Sequence, residues 1–249
     1  MKTIARVGVI VILTLTTIIT GCKKDDDSFS SSQLITPQNF LAADKYTSLI
    51  VEIKYIEGYN PTQESLNNLK QFLSDRLNKP NGITLITGSL PSKSRTSYSL
   101  TDIKAIEKTS RQYQTNNKTL TVYIFFADGG YIEDTEDTKV IGIAYGSTSA
   151  AIFEKTIKDS SGGLAQPSED VLETAVLHHE FGHLLGLVNY GARMVSNHQD
   201  IAHGHHCTNE NCLMHYKTET SDIIGNLIGG NIPELDNNCI NDLRLNGGK

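Results

Sequence analysis

The sequence predicts an α+β fold: a twisted mixed β-sheet under helices, followed by an irregular C-terminal part. Three observations carry this expectation. Apolar segments of strand period and helix period alternate over residues 48–145. One long helical pattern follows over residues 168–186, and this order of elements belongs to helices packed on a sheet. Beyond residue 189 the chain is rich in Asn, Gly and His and shows neither period. Hydrophobic residues at 38% and charged residues at 20% of the 249 are the proportions of a globular protein.

Lys2 and Arg6 precede an apolar run over residues 7–19, short for a membrane span and suited to a signal-peptide core. It ends in Ile19-Thr20-Gly21-Cys22, which resembles a bacterial lipobox. The resemblance implies removal of residues 1–21, lipidation of Cys22, and an exported lipoprotein anchored in the outer membrane, facing the periplasm or the cell surface. An ordinary signal peptide with an incidental cysteine is the alternative. Residues 22–39, with Lys23-Lys24-Asp25-Asp26-Asp27 and a serine run, lack the apolar area to order themselves and are expected to form a tether. The domain is expected over residues 40–249.

Within that domain, residues 48–56 (SLIVEIKYI) are strand-like. Pro61 and Thr62 open a helix with Leu66, Leu69, Phe72, Leu73 and Leu77 at helical spacing. Residues 78–82 break it and residues 83–86 form a second strand. A Ser-rich loop over 89–99 leads into a helix over 101–113. Residues 120–126 (LTVYIFF) are a nearly continuous apolar run, as in a buried strand. Residues 139–145 (KVIGIAY) form another strand, whose glycine suits a sheet edge. Ser168 as N-cap, with Glu169 and Asp170 at the positive end of the dipole, opens the long helix, and Gly186 stops it. Net charge is −6 with the basic residues scattered, which excludes a phosphate-binding surface and with it nucleic acid as a partner.

The long helix carries His179-Glu180-Phe181-Gly182-His183. Two histidines four apart point the same way, one turn above the other. HExxH arises by chance in about one chain in a hundred of this composition. A catalytic zinc takes three protein ligands and keeps the fourth position for water. Such a water loses its proton near neutral pH, and Glu180 stands beside it as general base. His178 lies about a hundred degrees round the helix from His179 and cannot share its metal.

HExxH followed by Gly186 resembles the metzincin metallopeptidases, whose compact pattern is HExxHxxGxxH. The third ligand of that pattern falls here on Asn189, a poor zinc donor. Further on, His206-Cys207 and Cys212-Leu213-Met214 are similar to the H-C-x4-C-x-M run of archaemetzincins. The resemblance implies a zincin-like (metzincin) fold and a zinc peptidase acting on peptides or proteins. It implies His179, His183 and His206 as ligands, residues 189–205 as an insertion, and Met214 as the methionine turn under the metal. His198, His203, His205 and His215 remain open as third ligands. An acidic third ligand such as Glu219 would give a gluzincin, although no helix motif surrounds it. Met214-His215-Tyr216 resembles a run of astacin-like enzymes and implies that the Tyr216 hydroxyl reaches the transition state. By analogy with zincins, residues 140–146 are the candidate edge that pairs with an extended substrate.

Archaemetzincins hold a second, structural zinc with the two cysteines and a downstream CxxC pair. This chain offers Cys239 alone downstream, so a site on Cys207, Cys212 and Cys239 lacks its fourth cysteine. In an oxidising compartment a Cys207–Cys212 disulfide is the expectation instead. The alternative to an enzyme is a non-catalytic zincin-fold surface lipoprotein that binds a protein or glycan. An intact Glu180 argues against it, since a binding module needs no proton carrier there.

Overall fold

A computed structural model describes residues 34–249. The signal peptide, Cys22 and residues 22–33 of the tether lie outside the described residues. Among the described residues no helix is long and apolar enough to cross a membrane.

Five strands form one mixed sheet: β1 (Ser48–Ile56), β2 (Ile83–Leu90), β3 (Thr119–Phe126), β4 (Gly142–Tyr145) and β5 (Ser149–Ile152). Their spatial order is β2-β1-β3-β5-β4, with β4 at one edge. All neighbours run parallel except β4, which runs antiparallel to β5. Strand β3 is buried from Leu120 to Phe126 because the sheet is covered on both faces. Leu120, Val122, Ile124 and Phe126 join Val51, Ile53 and the helices in the larger core. Tyr123 and Phe125 pack with Tyr98, Ile103 and Phe153 on the opposite face.

The longer helices are α1 (Pro37–Leu41), α2 (Gln63–Arg76), α3 (Leu100–Ser110), α4 (Glu154–Asp159), α5 (Glu169–Leu184) and α6 (Asn237–Leu245), with a four-residue turn of helix over Ile224–Leu227 before the last. Thr62 caps α2 by accepting a hydrogen bond from the Ser65 amide, 3.2 Å away. Leu69, Phe72 and Leu73 of α2 and Leu172, Ala175 and Val176 of α5 share the larger core, which fixes α5 against the sheet. Ser168 stands at the N-cap of α5, although its hydroxyl makes no capping bond. Gly186 ends the helix at φ +80°, where a Cβ would lie 2.3 Å from Pro37 Cγ and 2.7 Å from the Ala192 nitrogen. Glycine alone fits that turn.

Three features differ from expectation. Helix α1 places Phe40 and Leu41 in the core, so among the described residues regular structure begins at Pro37. Strand β5, Ser-Ala-Ala-Ile, was not legible because serine and alanine are weak strand formers; pairing with β3 and β4 and complete burial override that preference. The expected strand over 139–145 shortens to Gly142–Tyr145, and Val140 bridges to Thr220 instead.

Candidate metal centre

Helix α5 carries His179 and His183 on its buried side, with Nε2 atoms 3.0 Å apart. The chain that leaves α5 returns through a short ribbon pairing Gln199–Asp200 with His206–Cys207, and this return delivers His206. One donor atom each from His179, His183, His206 and Glu219 lies within 4.8 Å of all the others. The four converge under β4. A cleft of about 150 Å³ opens above them, lined by Ile143, Ala144, His183, Tyr190, His205, His206 and Glu219.

Two of the imidazoles are oriented by backbone carbonyls. His179 Nδ1 donates to the Leu213 carbonyl at 2.7 Å, and His206 Nδ1 donates to the His203 carbonyl at 2.6 Å. Each bond leaves Nε2 as the free lone pair, the tautomer a metal requires. His206 Nε2 is buried with no hydrogen-bond partner. Burial first, and then the neighbouring imidazoles, hold His183 well below the usual histidine range. For His206 burial acts the same way, but the adjacent Glu219 carboxylate outweighs it and raises the pKa.

Glu180 is fully buried, and neither of its carboxylate oxygens has a hydrogen-bond partner. Burial, followed by the charge of Glu219, raises its pKa well above the carboxylate range. Its carboxylate reaches the sheet edge because Gly142 leaves room: a Cβ there would lie 2.5 Å from Glu180 Oε1 and 2.6 Å from Val176 Cγ1. Met214 is buried against α5 at Gly182, where a Cβ would stand 2.1 Å from Met214 Sδ. The glycine inside HEFGH thus admits the methionine.

The remaining histidines fall elsewhere. His178 stacks on Phe72 of α2, ring centroids 4.2 Å apart, and burial lowers its pKa to about 4. His203 bonds to Asp200 and stacks on Tyr216 at 3.7 Å. His205 lines the cleft with Nδ1 3.3 Å from the Val188 carbonyl. His215 packs beside Tyr216. Tyr216 therefore lies against His203 rather than among the residues lining the cleft. The phenol in the cleft belongs to Tyr190, which no motif or spacing singles out.

The expected Cys207–Cys212 disulfide is not formed. Cys207, Cys212 and Cys239 are buried free thiols. The three thiols gather together instead, with Cys212 Sγ 3.7 Å from Cys239 Sγ of α6. Cys207 Sγ faces His198 Nδ1 at 3.4 Å and Asp236 Oδ2 at 3.5 Å. His198 Nε2 is held by buried Asp242 of α6 at 2.8 Å. Hydrogen bonds from Cys207, then from Cys239, pull the Cys212 thiol down to about 4. The amides of Met214 and Asp236 also point at its sulfur, each 3.4 Å away. Donor atoms of His198, Cys207, Asp236 and Cys239 lie within 4.8 Å of one another. The sequence ranked His198 with the third-ligand candidates; the fold sends it to the thiols.

Sheet, long helix and returning loop make this an α+β domain built on a mixed sheet. Its fold is similar to that of archaemetzincin from Methanopyrus kandleri, with a TM-score of 0.52 and 16% identity over 80% of this chain and 96% of that chain. Metalloproteinase-II from Bacteroides fragilis also aligns, with a TM-score of 0.46 and 16% identity over 82% of this chain and 54% of that chain. No family profile and no curated protein sequence matches this chain.

Proposed function

We propose that this chain is a zinc-dependent peptidase, exported and anchored by lipid on Cys22. The observation that carries the reading is the convergence of three imidazoles beside a buried, unpaired Glu180. Three nitrogen donors, two of them with Nδ1 already engaged, and an orphaned Nε2 on His206 are the donor set zinc takes. His179, His183 and His206 are the proposed ligands. When bound, zinc polarises a scissile carbonyl and acidifies water.

The rest of the chemistry belongs to the chain. Glu180 takes a proton from the attacking water as its oxygen bonds to the carbonyl carbon. It returns that proton to the amine as the carbon–nitrogen bond breaks. Strand β4 is the sheet edge over the cleft, and its free backbone groups pair with an extended peptide in a way that depends little on sequence. A phenol of Tyr216 or Tyr190 donates to the developing oxyanion.

The thiol cluster also supports a second, structural zinc, held by Cys207, Cys239 and His198 with either Asp236 or Cys212 as the fourth donor. Zinc–sulfur bonds of about 2.3 Å place tetrahedral sulfurs about 3.8 Å apart, close to the 3.7 Å between Cys212 and Cys239. Bound there, such an ion would tie the His206 loop to the methionine turn and α6.

The test is hydrolysis of a generic quenched peptide by purified protein, with chelator and after zinc is restored. Activity that is lost and regained supports the enzyme. A protein inert in both states is the binding module. His206→Ala should lower zinc content where His205→Ala leaves it unchanged. Metabolic labelling with palmitate, lost in Cys22→Ser, tests the anchor.

A further inference from the structure

Glu219 ends the short 3-10 turn Tyr216–Glu219 that follows the methionine, and its carboxylate caps the three imidazoles. Oε2 lies 3.8 Å from Nε2 of both His179 and His183, while Oε1 lies 3.5 Å from Nε2 of His206. Zinc bonded to nitrogen at about 2.0–2.1 Å and to oxygen at about 2.0–2.2 Å gives tetrahedral nitrogen–oxygen edges of about 3.4 Å. The four residues thus approach the corners of one coordination shell.

We propose that Glu219 is a fourth protein donor at the histidine centre, so that the resting site is closed and opens only when this carboxylate moves aside. The inference rests on the zinc reading above and adds regulation to it. A structural zinc has four protein ligands, whereas a catalytic one keeps a position for water; a Glu219 carboxylate bound to the ion would take that position. Its carboxylate also lowers the net charge of the centre, and so its power to acidify water.

The backbone of Glu219 is fixed. Its carbonyl accepts from the Ile141 amide at 2.9 Å, the next residue bridges to Val140, and the Ser221 amide donates to the Lys139 carbonyl at 2.8 Å. Freedom is left to the side chain, which is 29% exposed and lines the cleft. The segment that holds Glu219 is hydrogen-bonded to residues 139–141, which run into β4. A peptide laid along that edge therefore meets the carboxylate directly, and substrate binding and opening become one event.

The test uses the full chain with cobalt in place of zinc and acetohydroxamate as a small metal-chelating probe. Glu219→Gln should change the cobalt visible spectrum, bind acetohydroxamate about ten- to a hundredfold more tightly, and release its metal faster by a similar factor. Glu219→Asp keeps the charge one methylene short and separates ligation from simple charge balance. An Asp variant indistinguishable from wild type, beside a Gln variant with an unchanged spectrum, overturns the proposal. Circular dichroism checks that both variants fold. Loss of the cobalt signal in His206→Ala identifies the signal as that of the histidine centre. Wild-type protein that takes up no metal there sinks the zinc reading itself, an outcome distinct from an unaltered Gln variant.

Discussion

His179 donates its Nδ1 proton to the Leu213 carbonyl across 2.7 Å, so the residue before the methionine sets the tautomer of the first helix histidine. The orienting partner is backbone. The neighbouring glutamate is therefore left with no structural duty toward the imidazoles, and both of its oxygens are unpaired in the interior. A buried carboxyl without partners is costly to keep, which is intelligible if its role is to carry a proton.

Glu180→Gln is accordingly predicted to keep full zinc content while peptide hydrolysis falls by roughly a hundredfold to ten-thousandfold. Metal analysis and turnover on the same sample check it. Retained turnover removes Glu180 as the base; lost metal means that it supports the ligands.

Cys239→Ala and His198→Ala should each lower zinc content from two ions per chain toward one and reduce thermal stability. The loop carrying His206 should then become sensitive to protease, since the thiols and His198 join it to α6. Intact stoichiometry in both variants would show that the thiols are only packed together.

The phenol that assists turnover is decided by a pair of substitutions. Tyr216 is stacked on His203, whereas Tyr190 lines the cleft near His183 and His205. Phe at the assisting position should slow turnover about tenfold or more with binding little changed. Equal rates for Tyr190→Phe, Tyr216→Phe and wild type dismiss both.

A pH effect on stability comes from the other end of α5. Glu154 is fully buried, and burial, followed by the charge of Glu173, pushes its pKa up to about 11. Glu173 already accepts from Thr62 N, Thr62 Oγ1 and Ser65 Oγ at 2.8, 2.7 and 2.5 Å. The folded chain retains a proton on Glu154 that the unfolded chain releases above about pH 4.5, so stability falls as pH rises from there toward about 11. At neutral pH the penalty reaches at most about 3 kcal/mol. Glu154→Gln needs no proton and should flatten this decline, melting higher than wild type near pH 9. Parallel melting curves from about pH 5 to about pH 9 would contradict the assignment.

Local periodicity was enough for β1, whose bounds fall at residues 48–56 as read from the pattern, and for the cap and stop of α5. Its repeat also put His179 and His183 on one face, because four residues make nearly one turn. A family likeness in the run from His206 to Met214 singled out His206. None of these readings required knowledge of where the chain returns.

What tertiary structure decided is everything that depends on that return. Five histidines of similar local context separate into one beside the helix pair, one beside the thiols, and three in or near the cleft rim and its stacked rings. Glu219 has no periodic or motif signal, and it reaches the imidazoles because the chain around it hydrogen-bonds to the segment before β4. Cys239, far along the sequence, joins the two nearer cysteines, so that three free thiols meet where one disulfide was expected. Period and spacing act over a few residues, whereas a coordination shell is assembled from side chains that only the packed chain brings together.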